Sequence, residues 1–113
     1  MKIINLTRGA TLATEAVRAD SPFKRMKGLL GRKELPDGQA LILDPCDSVH
    51  TFFMQFPIDV VFVDRKNKIV RIHHSLRPWR LSGIYLSAAF AIELPAGKAA
   101  LASTAVGDTI SFV

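Results

Sequence analysis

The sequence predicts a mainly β, compact single domain over residues 1–113. The expected architecture is a partly closed small β-barrel with one short amphipathic helix and a helical turn near the C-terminus. A chain of 113 residues, 49% of them hydrophobic, has enough apolar material for one core but not for two. About seven short strand-like stretches are separated by turn residues, without the strand–helix alternation of a parallel sheet. Because short strands leave many unpaired edges, curling into a partial barrel is favoured.

The first third of the chain predicts a hairpin followed by a helix. Lys2–Leu6 and the weak two-residue alternation after it indicate a hairpin over residues 2–18. Ser21 and Pro22 are typical N-cap and first-turn residues of a helix. The apolar residues at helical spacing, which predict a face packed inward, are Phe23, Met26, Leu29 and Leu30. Gly31 is expected to end the helix.

The middle of the chain predicts four strands. Ala40–Leu43 and Val49–Met54 are apolar stretches bounded by turn or proline residues. Ile58–Asp64 is the strongest strand. Because its apolar side chains fall on both faces, we expect it to be central and covered on both sides. Ile69–His73 is its expected hairpin partner across a polar turn.

The C-terminal part predicts a loop, two further strands and a helical turn. Ser75–Ser87 contains proline, glycine and two arginines, which is typical of a surface loop. Ala88–Leu94 and Thr109–Val113 have strand character. The alanine-rich segment Lys98–Thr104 suits one or two helical turns.

Charge is arranged in blocks along this basic chain, whose net charge is +5. Residues 1–33 carry eight Lys/Arg and two acids, residues 34–64 carry six acids and no Lys/Arg, and residues 65–80 carry six Lys/Arg and no acid. The favoured interpretation is that these blocks pair across a solvated surface. The alternative is a positive rim that attracts an anionic ligand or nucleic acid.

The sequence predicts a soluble, cytoplasmic protein without a membrane segment, metal or cofactor. Polar residues interrupt the N-terminal apolar positions before a signal peptide or membrane span can form. A single cysteine, Cys46, forms no internal disulfide and supplies no zinc site. His73 and His74 are adjacent in a strand and point to opposite faces, so they do not chelate one metal. Gly28 and Gly31 lack the lysine and spacing of a phosphate loop.

Four pieces of the sequence occur in a characteristic order. They are Gly28-Leu29-Leu30-Gly31-Arg32, the stretch HTFFMQFPIDVVFVD from His50 to Asp64, Glu93-Leu94-Pro95-Ala96-Gly97, and Val106-Gly107-Asp108. Together they resemble the uncharacterised prokaryotic family called domain of unknown function 192, over nearly the whole chain. The resemblance implies a small β-rich domain and no established reaction. Phe53 stands where many relatives have tryptophan or glycine.

Two carboxylates in apolar strands are the first candidates for function. Asp59 at the edge of the VVFV run is costly to bury charged without compensation. It is either a functional carboxylate with a perturbed pKa or, the slightly favoured interpretation, an anchor that accepts backbone amides near the Phe56-Pro57 bend. Glu93 is either a solvated outer residue or, if its strand neighbours Ile58–Asp64, the partner of Asp59 in acid–base work or in holding a metal.

Cys46 and His50 form a weaker candidate pair. Their four-residue spacing permits a thiol–imidazole arrangement for nucleophilic catalysis. No oxyanion motif and no third member accompany them, so a catalytic thiol is disfavoured. A histidine next to Phe52 and Met54 is more often a core or rim residue than a ligand.

The segment Arg77-Pro78-Trp79-Arg80 is the other candidate. Arginines that flank a tryptophan can clamp an anion or stack on a base. Alternatively, the indole closes one end of the barrel while the arginines stay in solvent. The basic helix residues, which would extend a nucleic-acid surface, are Lys24, Arg25 and Lys27.

These observations predict a small binding or accessory domain with a polar pocket at one end of the barrel. The candidate pocket residues are His50, Thr51, Asp59 and Glu93, with Arg77, Trp79 and Arg80 on its lid. The arginines favour an anionic small molecule. One alternative is a hydrolase-like enzyme with Asp59 or Glu93 as general base. The other is a nucleic-acid-binding module.

Overall fold

The computed structural model describes residues 1–113 as eight strands and two short helices. The strands are β1 (Ile3–Asn5), β2 (Ala10–Ala13), β3 (Glu15–Ala19), β4 (Gln39–Leu43), β5 (Ile58–Val63), β6 (Ile69–Leu76), β7 (Phe90–Pro95) and β8 (Ile110–Phe112). The helices are α1 (Pro22–Lys27) and α2 (Lys98–Leu101). The mainly β class is therefore confirmed. No helix has the length and apolar character needed to cross a membrane.

The strands form two open sheets, so the predicted closure into a partial barrel is wrong. One sheet has the order β2-β1-β8 and the other the order β3-β4-β7-β5-β6. One apolar face of the larger sheet is covered by the smaller sheet, so this sheet does not need to curl onto itself. An isolated bridge between Lys68 and Thr109 links the two sheets. Backbone hydrogen bonds between Lys2 and Val113 (2.8 and 3.0 Å) extend the smaller sheet.

One pair of strands is parallel, contrary to the prediction that strand–helix alternation is absent. β3 and β4 are joined through α1 and pair in parallel from Glu15–Gln39 to Ala19–Leu43. The β3–α1–β4 unit is not predicted from the sequence because β3 is short and partly polar, and its sequence resembles the continuation of an N-terminal hairpin. Only β1 and β2 form that hairpin, and β3 belongs to the other sheet.

Two apolar clusters lie on opposite faces of the larger sheet. Val61 and Val63 of β5 belong to a cluster shared with the smaller sheet. Val60 and Phe62 belong to a second cluster, which the segments after α1 and after β4 cover. All six residues of β5 are buried, and the strand lies between β6 and β7. This confirms that β5 is an interior strand covered on both faces, with β6 as its hairpin partner.

Helix α1 begins as predicted and packs differently. Ser21 accepts a hydrogen bond from the Lys24 amide (3.2 Å) and caps the N-terminus. The helix ends at Gly28, whose φ is 46°, before Gly31 is reached. The predicted inward face is wrong, because Phe23 is 74% exposed and Met26 is 73% exposed. The two leucines of the turn after the helix pack inward instead.

The predicted strand Val49–Met54 is also wrong. This segment makes one isolated bridge, between His50 and Leu81. Phe53 has a positive φ of 65°, which breaks the extended conformation. The backbone groups of the segment bond to residues 79–82, as in the bond from the Ser82 amide to the Val49 carbonyl (3.0 Å).

Candidate functional site

A cavity of about 300 Å³ lies where α1 and the turn after it face the segment that follows β4. The lining residues are Arg25–Leu30, Leu43, Pro45–His50, Met54 and Glu93. The cavity is built from the two irregular segments that cover the second apolar cluster. Seven of its fifteen lining residues are hydrophobic, and Glu93 is a buried carboxylate among them.

Glu93 is delivered to the cavity by β7. In the sheet it pairs with Leu41 on one side and with Val60 on the other, so its side chain shares the face of the second cluster. Burial raises the pKa of Glu93 from 4.5 to about 7, and no protein donor opposes this rise. No fully buried side-chain oxygen of the chain lacks a hydrogen-bond partner, so the unpaired carboxylate oxygens of Glu93 are accessible from the cavity. The group therefore accepts a proton near neutral pH or a hydrogen bond from a molecule that enters.

Gly28 brings the end of α1 over this carboxylate. A Cβ atom at Gly28 would lie 3.9 Å from Glu93 Oε1, which is ordinary van der Waals contact. The positive φ of 46° is what favours glycine at this position. The end of the helix thereby forms part of the cavity wall beside Glu93.

Cys46 and His50 line the same cavity without forming a catalytic pair. Burial raises the pKa of the Cys46 thiol, and the nearby Glu93 charge acts in the same direction. The Cys46 thiol donates to the Ser48 carbonyl (3.1 Å). His50 Nδ1 accepts the Phe52 amide (3.3 Å). A thiol held protonated and away from an imidazole is a poor nucleophile.

Asp59 lies on the opposite face of the sheet from Glu93. Asp59 pairs with Leu94, whereas its neighbour Val60 pairs with Glu93, and adjacent residues of a strand face opposite ways. The Asp59 carboxylate is fully buried and accepts three backbone amides. These are the amides of Ser75 (2.8 Å), Gly97 (3.1 Å) and Ala99 (2.9 Å). Asp59 therefore anchors the end of β6 and the start of α2, rather than the Phe56-Pro57 bend.

Thr51 joins two loops and does not line the cavity. Its hydroxyl donates to the Arg77 carbonyl and accepts the Arg80 amide (2.9 Å). Its own amide donates to the Arg80 carbonyl (2.9 Å), and its carbonyl accepts the Trp79 amide (2.9 Å). The buried Thr51 thus fixes the Arg77–Arg80 segment against residues 49–54.

The predicted lid residues Arg77, Trp79 and Arg80 are exposed and lie outside the cavity lining. Trp79 contacts Phe53 instead of closing an end of the fold. Of the seven predicted pocket residues, only His50 and Glu93 line this cavity. The structure does not bring all seven residues together, because Asp59 and Glu93 occupy opposite faces of the sheet.

Sequence reasoning missed the apolar walls of the cavity. The sequence predicts a buried helix face for Leu29 and Leu30 and a strand for Met54. In the structure all three residues line the cavity. A signal for one wall was available, since glycine at position 28 interrupts a helical pattern and indicates a helix end. The contact between that end and Glu93 is long-range and leaves no local pattern.

The fold and the cavity define a mainly β domain that holds a buried, unpaired carboxylate beside a helix end. Residues 3–112 match the model of the family domain of unknown function 192, described as "Uncharacterized ACR". The chain belongs to this family, whose function is uncharacterised. The resemblance drawn from the four sequence pieces is thereby confirmed.

The similarity extends to curated proteins and to a solved structure. A UPF0127 protein of Thermococcus sibiricus is 32% identical and covers 97% of this chain and 73% of its own length. A UPF0127 protein of Pyrococcus furiosus is 31% identical and covers 97% of both chains. The crystal structure of a protein of unknown function from Novosphingobium aromaticivorans has a TM-score of 0.83 at 20% identity. It covers 99% of this chain and 84% of the other, and it supports the fold alone.

Proposed function

We propose that this chain is a binding domain for a small molecule that presents an amino group or another hydrogen-bond donor to Glu93. The observation that carries the proposal is the buried carboxylate, which faces a cavity and has no protein donor. Buried polar groups in folded proteins nearly always have a partner. A ligand that supplies this partner gives a hydrogen bond to a carboxylate that is only 3% exposed.

The cavity supports a small and partly apolar ligand. A volume of about 300 Å³ is at the lower end for small-molecule sites. Leu29, Leu43 and Val49 offer apolar surface to such a molecule. Arg25 and Lys27 also line the cavity and favour a ligand that carries an anionic group as well. The sequence predicts an anionic ligand because of Arg77 and Arg80. In the cavity, the cations that favour such a ligand are Arg25 and Lys27 instead.

Proton linkage gives the proposal a specific pH dependence. The pKa of Glu93 is about 7, so the carboxylate is mostly ionised at pH 8 and mostly protonated at pH 6. A cationic amine binds the ionised form, so its affinity is expected to rise over this interval. A neutral hydroxyl compound, which hydrogen-bonds to both forms, is expected to show a weaker dependence.

The test is an NMR screen of small amines, amino acids and alcohols at pH 8 against 15N-labelled protein. Binding is expected to shift the amide signals of Gly28, Ser48 and Glu93, and Glu93→Gln is expected to weaken it at least tenfold. Glu34→Gln, at an exposed position, is the matched control and should bind as the unmodified chain does. Ligands that bind Glu93→Gln equally well would contradict the proposal.

General acid–base catalysis by Glu93 is a second candidate. A pKa of about 7 suits proton transfer at neutral pH, because both protonation states are populated. Asp59 does not serve in this role, since its three backbone partners and full burial keep substrate away. A hydrolytic activity with an inflection near pH 7 that disappears in Glu93→Gln would favour catalysis over binding alone.

A cytoplasmic location stays a prediction.

A further inference from the structure

Three aromatic residues that do not line the cavity form a surface of their own. This aromatic surface consists of Phe52, Phe53 and Trp79. Phe53 is 70% exposed and Trp79 is 54% exposed, although large aromatic side chains are usually well covered. The ring centroids of Phe53 and Trp79 lie 4.5 Å apart, and those of Phe52 and Trp79 lie 6.1 Å apart. The rings therefore contact one another while presenting apolar area to solvent.

The backbone holds two of these rings in place. Phe53 and Trp79 each have a φ of 65°, a conformation that bulky residues rarely adopt. Trp79 is bonded directly to Thr51, whose carbonyl accepts the Trp79 amide (2.9 Å). The same carbonyl accepts the amide of Met54, the neighbour of Phe53 (3.2 Å), which holds the turn that carries Phe53. Strained positions that persist because neighbouring bonds determine them are concentrated at functional sites. The arrangement fixes exposed aromatic rings that belong to neither apolar cluster.

The two chain segments that carry the aromatic surface contain charges of one sign only. Arg77 and Arg80 are exposed, and the three salt bridges of the chain involve other cations. Residues 48–58 and 65–92, which include both loops of this surface, contain no aspartate or glutamate. The surface thus combines stacking area with unpaired positive charge.

We propose that the aromatic surface and its two arginines bind single-stranded nucleic acid. Bases stack on Phe53 and Trp79, and Arg77 and Arg80 contact the phosphates. Aromatic rings beside cations are the combination that single strands use, because every base offers a flat face and every nucleotide carries a negative charge. This activity goes beyond small-molecule binding at Glu93 and uses a different set of residues.

The test uses the only tryptophan of the chain as a reporter. Fluorescein-labelled oligo(dT) and oligo(U) of about 12 nucleotides are titrated with the full chain at 20 mM and 200 mM KCl. Anisotropy is expected to rise at low salt and to fall off at high salt. The intrinsic fluorescence of Trp79, followed with unlabelled strands, is expected to be quenched by base stacking.

Matched variants separate stacking from charge. Phe53→Ala and Trp79→Phe are expected to weaken binding by several-fold to tenfold, and Arg77→Ala with Arg80→Ala is expected to reduce the salt dependence. Leu86→Ala, an exposed apolar residue in the same long segment, and Lys66→Ala are controls that should retain binding. Circular dichroism checks that each variant is folded.

Three outcomes would overturn the proposal. The first is the absence of oligonucleotide binding at 20 mM KCl. The second is equal binding of heparin, a polyanion without bases, together with no effect of Phe53→Ala. The third is binding to phosphatidylglycerol vesicles, lost in Phe53→Ala, without binding to either oligonucleotide, which would identify a membrane surface instead.

Discussion

Asp59 and Glu93 lie on neighbouring strands, and both are buried carboxylates, yet their surroundings are opposite in kind. Asp59 faces the start of α2 and the end of β6, where three backbone amides lack other partners. Hydrogen bonds to a charged acceptor are among the stronger ones in proteins, so this burial is compensated. Glu93 faces a cavity with a mixed apolar and polar lining and receives no such donors. Asp59 pairs with Leu94, the residue after Glu93, so a shift of one residue in register places the two carboxylates on opposite faces of the sheet.

Asp59→Asn is expected to lower the free energy of unfolding by about 3 kcal/mol. An amide side chain has one acceptor oxygen and directs its NH2 group at a backbone donor, so at least one buried amide loses its partner. Urea denaturation monitored by circular dichroism measures the change. Asp37→Asn is the control, because Asp37 is exposed and forms only a surface ion pair with Lys98 (3.2 Å). A variant at Asp59 as stable as the Asp37 variant would contradict the anchoring role.

Glu93 makes stability depend on pH with a definite sign. Its pKa is about 7 in the folded chain and near 4.5 when the chain is unfolded. Between these values the folded state holds a proton that the unfolded state has released, so stability falls as pH rises. The loss amounts to about 3 kcal/mol between pH 4.5 and pH 7 and levels off above that.

Glu93→Gln, which mimics the protonated form, is expected to remove this dependence. It should be close to the unmodified chain at pH 4.5 and more stable than it at pH 8. Urea midpoints across this range provide the measurement, with Glu15→Gln on the exposed face of β3 as the control. Parallel stability curves for the two chains would show that Glu93 is not shifted.

At the scale of elements, α1 contributes little buried surface. The four apolar residues of the pattern resemble an inward face, but a helix of six residues positions only its following turn over the core. Phe23 and Met26 therefore point away from the apolar clusters. The main role of α1 is to deliver Gly28 and Leu29 to the cavity wall.

This difference predicts unequal effects of mutation along one apparent apolar face. Phe23→Ser is expected to change the free energy of unfolding by less than about 0.5 kcal/mol, since the ring is already in water. Leu29→Ala is expected to cost about 3 kcal/mol, because it removes a buried side chain and leaves a cavity. Chemical denaturation of both variants tests the assignment. A large loss in Phe23→Ser would mean that the helix packs inward.

The elements that could be predicted are those whose signal is local. β5 and its hairpin partner are recognisable because Val60–Val63 is apolar on both faces and a polar turn follows. The failed strand at Val49–Met54 has the same alternation, but its backbone partners lie near residue 80 and its conformation is set by them. Glu93 was identifiable as a polar residue in an apolar strand. Its separation from Asp59 depends on the strand register, which is a long-range property.

At the scale of the whole molecule, the five-stranded sheet separates two apolar cores and contributes side chains to both. Val60 points into one core and its neighbour Val61 into the other, and both side chains are fully buried. Neither core is closed without β5. Loss of packing on one side therefore disturbs the strand that organises the other side.

Cooperative unfolding is the expected consequence. Val60→Ala and Val61→Ala should each lower stability by about 1–3 kcal/mol and shift one common thermal transition. Calorimetry tests this by comparing the calorimetric and van't Hoff enthalpies, which agree for two-state unfolding. Two resolved transitions in Val60→Ala would show that the cores unfold independently.

The position of the only thiol gives the cavity a chemical reporter. Cys46 lines the cavity wall with its sulfur partly buried, and its raised pKa keeps it mostly unreactive at neutral pH. Alkylation at alkaline pH therefore proceeds at a rate that depends on access through this cavity and through a second cleft that Cys46 also borders. A molecule resident beside Glu93 is expected to slow the part of the reaction that passes through the cavity. Mass spectrometry of a single cysteine can thus rank candidate ligands before any of them has been identified by structure.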